Sequence, residues 1–144
     1  MAFENDGYTL RNLHARLADA AAGYRDGLGR TSSEVVAGYF EAYRSLHDRH
    51  MVELAGLMLS EGLKPRRGGV WETLYHTGMM AFDAPVDRLD SRTTGAVTRG
   101  ERVLADLYDE ALDAMTGHPA ATALLMRQKA ELADPFEGMS LRAA

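Results

Sequence analysis

The alternation of apolar and polar positions is helical over most of the chain. Its longest regular run, Ser33 to Gly62, predicts one amphipathic helix of about 30 residues, ~45 Å long at 1.5 Å per residue. Val35, Val36, Tyr39, Phe40, Tyr43, Leu46, Leu54, Leu57 and Met58 recur at three- and four-residue steps and form one broad stripe. Two histidines fall inside that stripe: His50 is four residues from both Leu46 and Leu54, and His47 is four after Tyr43. The opposite face carries Glu41, Ser45, Asp48 and Val52 and is mostly polar.

The flanking segments follow the same period. Leu10, Leu13, Leu17, Ala21, Tyr24 and Leu28 form a seam at steps of three and four, which predicts a helix from Thr9 to Leu28 with His14 at the edge of the seam. Gly27 and Gly29 are expected to close it in the left-handed conformation. Thr31, with Glu34 three residues on, reads as a capping box opening the long helix. A third helix is predicted from Ser91 or Arg92 to Thr116, with Val97, Leu104, Leu107, Tyr108, Ala111, Leu112 and Met115 on one face and Glu101 among them. Gly117 stops it, and Pro119 suits the first position of a fourth helix running to Ala133. That helix turns Ala120, Leu124, Leu125 and Leu132 inward, with Gln128 and Glu131 on the same arc. The segment 63–91 is too long for a bare loop in a compact domain. Its Val70, Trp71, Leu74, Tyr75, Met79 and Phe82 predict a short helix across the bundle.

The expected architecture is all-α, a single domain over 1–144 with a core of about 8–133 and a tail over 134–144. Two hairpins joined by a long crossover give the ferritin-like four-helix bundle, in which the second and third helices run parallel. An up-down-up-down bundle would need only a short connection at that point. In the crossover topology the inward polar residues fall near one height. Counted from the end where the second and third helices finish, His47 stands about 15 residues up, Glu101 about 16, His50 and Glu131 about 12 and Gln128 about 9. His14 is expected level with His47. The set spans about 10 Å of axis.

Charge and composition narrow the function classes. The net charge of −5 argues against a nucleic-acid partner. The absence of cysteine excludes disulfides, iron–sulfur clusters and thiolate zinc sites. No apolar run reaches the ~18 residues of a membrane span. The acidic N-terminal residues lack the pattern of a secretory signal, so a cytoplasmic location is expected. No nucleophile triad, phosphate loop or nucleotide fingerprint occurs; Gly27 and Gly29 have no preceding strand.

Short motifs along the helices carry a resemblance. Gly23-Tyr24, Arg49 with Glu53-Leu54, the segment Gly69 to Trp71, Arg99-Gly100-Glu101 and Arg127-Gln128 are similar to those of the bacterial ferritin-like domain-of-unknown-function proteins, relatives of the YciF-type stress proteins. The resemblance covers about residues 8–133. It implies a ferritin-like bundle, associated as dimers or larger homo-oligomers, and brings no established activity. In the wider superfamily, di-iron members use one Glu from each of two helices and Glu-x-x-His on the other two. Here Glu101 matches, but the second helix offers His47-x-x-His50 and the fourth Gln128-x-x-Glu131. Asp19 and Asp26 are expected to face away, so the standard di-iron site is not encoded.

Two readings of the inward cluster follow. His47 and His50, one turn apart, could share a cation with Glu101, and with His14, Glu131 or Gln128 in support; such nitrogen and oxygen donors suit iron or zinc. Alternatively the same groups satisfy one another as buried hydrogen-bond partners, with no cofactor expected. The functional expectation is a non-catalytic structural or stress-associated bundle. The alternatives are a metal-dependent oxidoreductase built on this cluster and an interaction adaptor with an exposed apolar face.

Overall fold

The computed structural model describes residues 7–64, 87, 91–133 and 135. The described residues form four helices: α1 (Gly7–Leu28), α2 (Glu34–Ser60), α3 (Ser91–Ala114) and α4 (Pro119–Glu131). Among the described residues there is no strand. The predicted boundaries hold to within two or three residues. The expected crossover helix with Trp71, and the tail beyond 135, lie outside the described residues.

Local chemistry sets the helix ends. Ser33 caps α2, its hydroxyl accepting from the Val36 amide at 3.3 Å. Thr31 is therefore not the capping residue; its hydroxyl instead accepts from the Ser33 amide. Gly62 (φ +79°) and Gly117 (φ +90°) take the left-handed conformation after α2 and α3, where any Cβ would be strained. Gly29 stays at negative φ, so α1 ends without a left-handed cap. Its amide reaches back to the Arg25 and Asp26 carbonyls instead.

The contacts settle the helix order. α1 packs against α2 and α3, and α4 packs against α3 and α2; α2 and α3 lie across one diagonal of the bundle and α1 and α4 across the other. Leu63, just past α2, lies against Gly7 at the start of α1, and a Cβ on Gly7 would come within 2.9 Å of it. α1 and α2 are therefore antiparallel. Asp87 accepts from the Ser32 amide at 2.8 Å. Further along, α3 meets α2 at Glu101–His47 and then at Tyr108–His50. α2 and α3 thus run parallel.

The core between the helices holds Leu10, Leu13, Leu17, Tyr24, Phe40, Tyr43, Leu54, Met58, Val97, Leu104, Tyr108, Met115 and Leu125, all fully buried. Two apolar expectations fail. Val35 is exposed and Val36 carries the contact; on α4 Ala120 is exposed and Ala121 is buried. In each case the exposed residue stands at the edge of the expected stripe, and the rest of that face is buried or half-buried.

Candidate functional site

A connected set of polar side chains crosses the middle of this core. Glu101 of α3 is its centre. Its Oε2 accepts from the Tyr24 hydroxyl of α1 at 3.0 Å and lies 2.8 Å from His47 Nε2 of α2. The Tyr24 ring stacks on Tyr43, with centroids 4.8 Å apart, and lies 5.8 Å from the His47 ring. Burial and the Glu101 carboxylate push the Tyr24 phenol well above its ordinary range, so it acts as a donor throughout the physiological range. At this distance His47 Nε2 and Glu101 Oε2 share a hydrogen bond. His47 Nδ1, Glu101 Oε1 and the Tyr43 hydroxyl are buried and have no hydrogen-bond partner among the described residues.

One turn along α2 a second group begins. The Tyr108 hydroxyl donates to Gln128 Oε1 at 2.9 Å, and Gln128 Nε2 donates to the His50 carbonyl at 3.0 Å and to Glu53 Oε1 at 3.2 Å. The single phenolic proton is thus committed to Gln128. The 3.4 Å contact between His50 Nδ1 and the Tyr108 oxygen then has Nδ1–H as donor, and Nε2 carries a lone pair. Burial, with His47 close by, lowers the His50 pKa to about 4, so the ring is neutral at pH 7. Its Nε2 has no hydrogen-bond partner; the nearest carboxylate oxygen, Glu131 Oε1, is 3.7 Å away.

Ion pairs between α2 and α4 seal the rim. Arg127 bridges Glu53 (2.7 Å) and Glu131 (2.5 Å), and Arg49 also holds Glu131. This is why Glu131 does not enter the core: two guanidiniums outside it compete with one weakly basic imidazole inside.

Of the six candidate residues, His47, His50, Glu101 and Gln128 are buried in this network, and Glu131 sits at its edge. His14 is not brought to it. The α1 residue that reaches His47 is Tyr24, ten positions on, or about 15 Å along the helix. The hairpin is therefore displaced from the register expected for His14. His14 is half-buried, its pKa lowered by burial. Among the described residues no group of three or more His, Asp or Glu side chains is placed to hold a metal ion.

The sequence offers Tyr43 and Tyr108 as hydrogen-bond partners of the cluster, with a plain core role preferred, and Tyr108 does bond to it. Tyr24 reads only as an apolar seam position, although a buried phenol requires a hydrogen-bond partner. Asp19, expected to face away, is 2% exposed and both its carboxylate oxygens lack a hydrogen-bond partner. Burial raises its pKa to about 6, partly offset by Arg16 one turn earlier. The signal for Asp19 was its setting among Ala20, Ala21 and Gly23, small residues that mark a helix buried round a wide arc. Between α3 and α4 a cleft of about 310 Å³, lined by Thr98, Ala105, Leu132 and the stems of Arg102 and Lys129, reaches Glu101 from outside.

The helix arrangement and the self-paired polar core define an all-α four-helix bundle. Within that class the chain belongs to a family described as a domain of unknown function, DUF2383, whose family model matches residues 7–114. The match takes in α1, α2 and α3, and with them Tyr24, His47, His50, Glu101 and Tyr108. No curated protein and no solved structure matches the chain. Among the described residues no helix is long and apolar enough to cross a membrane.

Proposed function

We propose that this chain is a ferritin-like bundle that lacks the di-iron centre and acts as a non-catalytic structural protein. The stress association rests on its resemblance to YciF-type proteins. The parallel course of α2 and α3 supports the ferritin-like reading. The observation that carries the non-catalytic reading is the state of Glu101. The carboxylate that a di-iron site would use as a bridge already accepts from His47 and Tyr24. In the fourth helix Gln128 is committed to Tyr108, His50 and Glu53, and Glu131 is committed to Arg49 and Arg127. Glu101, Gln128 and Glu131 thus each have stabilising partners in the protein itself.

The metal-binding reading draws on His47 Nδ1, His50 Nε2 and Glu101 Oε1, three buried atoms without hydrogen-bond partners. It requires them to converge on one point. Elemental analysis of the untagged protein after incubation with iron and zinc separates the two readings. The structural reading expects no stoichiometric metal in the natural protein or in a His47→Ala/His50→Ala variant. About one metal per chain, lost in that variant, would overturn it.

A further inference from the structure

The outward face of α2 carries a second seam. Eight positions from Val35 to Leu59 follow one another at alternating three- and four-residue steps, and all eight are exposed. This is the spacing with which one helix packs along another. The large members are far out of the bundle, Val52 being 71% exposed and Leu59 59%. Read inward from its two ends, the seam runs Val35 and Leu59, then Gly38 and Gly56, then Ala42 and Val52, then Ser45 and Arg49. The members of each pair stand equally far from position 47. The order is therefore close to palindromic: apolar, glycine, apolar, polar, from either end.

We propose that this face is a homodimer interface, in which α2 packs antiparallel on α2 of a second copy of the chain about a two-fold axis near His47. Three observations select a second copy as the occupant. First, a two-fold contact sets each residue against its mirror position, and the palindromic order places like with like: Gly38 against the partner's Gly56, Ala42 against the partner's Val52. Second, nothing among the described residues calls for the two glycines. Both lie inside a helix, where glycine is unfavourable relative to alanine, and a Cβ at either would meet none of the described residues within 4 Å. Opposed glycines do have a purpose where two helix backbones approach closely. Third, the charges at this face are already balanced within each chain. Arg49, the only charge in the seam, falls opposite the partner's uncharged Ser45 and is held by Glu131 of its own chain at 2.5 Å, and Glu41 beside the seam is paired with Arg44. Asp48, which the axis brings near its own copy, is already held by Arg44 at 2.7 Å, with Arg25 at 3.9 Å.

Sedimentation of the full chain should give twice the 15.8 kDa chain mass. The chain has no cysteine, so introduced thiols report the pairing directly. Oxidising a mixture of Ala42→Cys and Val52→Cys chains should cross-link unlike chains several-fold more than either variant alone, because only antiparallel pairing sets position 42 against position 52. Val52→Glu, a change at an exposed position, should weaken the dimer at least about tenfold with helicity and melting of the monomer unchanged. Gly56→Ala should likewise weaken the dimer, whereas in an isolated bundle it would only strengthen the helix. A monomer at all concentrations overturns the proposal. So does a dimer that Val52→Glu and Gly56→Ala leave intact, or one in which Ala42→Cys cross-links to itself as readily as to Val52→Cys.

Discussion

Two regions of this bundle bury a carboxylate, and they do so under opposite conditions. In the middle of the core Glu101 accepts from a phenol and an imidazole. On α1 Asp19 is buried at least as deeply and neither of its oxygens finds a hydrogen-bond donor. The difference shows what burial alone costs. A carboxylate with preorganised donors keeps its place in the network, whereas one without them gains basicity until its proton is held to about pH 6. The first arrangement ties three helices together. The second is a local strain that the rest of the core offsets.

Removing the partnered carboxylate should have the largest effect. Glu101→Leu strands the Tyr24 hydroxyl and the His47 imidazole in the core, and should lower unfolding free energy by about 3–5 kcal/mol in denaturant titration. Removing the unpartnered one should do the reverse. Asp19→Asn should raise stability at pH 7 by about 2 kcal/mol, somewhat less than the full difference between a pKa of 3.8 and one of about 6, because the amide remains unpaired. A gain absent at pH 7, or a loss there, would show that Asp19 has a donor.

The pH profile sharpens the contrast. Asp19 binds its proton more tightly folded than unfolded, so its contribution is full below pH 3.8 and is lost as the pH rises towards 6. His50 behaves the other way. Its folded pKa of about 4 lies below the ordinary 6.5, so between those values the unfolded chain binds more protons and stability falls on acidification. The two slopes oppose each other between about pH 4 and 6. Asp19→Asn should expose a rise with pH in that window, and His50→Leu a fall, both measurable by thermal unfolding in matched buffers.

Smaller effects should distinguish the second half of the network. Tyr108→Phe removes the donor to Gln128 and should cost about 1–2 kcal/mol. His50→Leu at pH 7 replaces a neutral ring whose contact with Tyr108 is a long 3.4 Å. It should change stability by less than about 1 kcal/mol. A loss as large as that of Glu101→Leu would mean that His50 Nε2 has a partner the bundle does not itself supply.

Much of this architecture was legible in the residue order. Helical spacing located α1 to α4, since a helix must turn its apolar residues to one side. Gly62, Gly117 and Pro119 marked ends that backbone sterics dictate. Placing His47 and Glu101 at one height needed only the crossover and a fixed rise per residue. Other features were not legible because they depend on neighbours remote in sequence. The exposure of Val35 at the edge of the α2 stripe and the displacement that substitutes Tyr24 for His14 come from packing between helices. Asp19 is buried by the width of the covered arc on α1, not by its own pattern. Glu131 shares the inward arc of α4, yet Arg49 from α2 and Arg127 beside it draw it to the rim.

By itself, then, the sequence determined that four amphipathic helices would form and that histidine, glutamate and glutamine would share their apolar faces, because those outcomes depend on local backbone geometry and hydrophobic period. Only the tertiary structure decided which polar atoms meet. A hydrogen bond requires about 3 Å and a suitable angle, and differences of one residue in rotation or a few in register decide whether His47 finds Glu101 and whether Asp19 finds nothing.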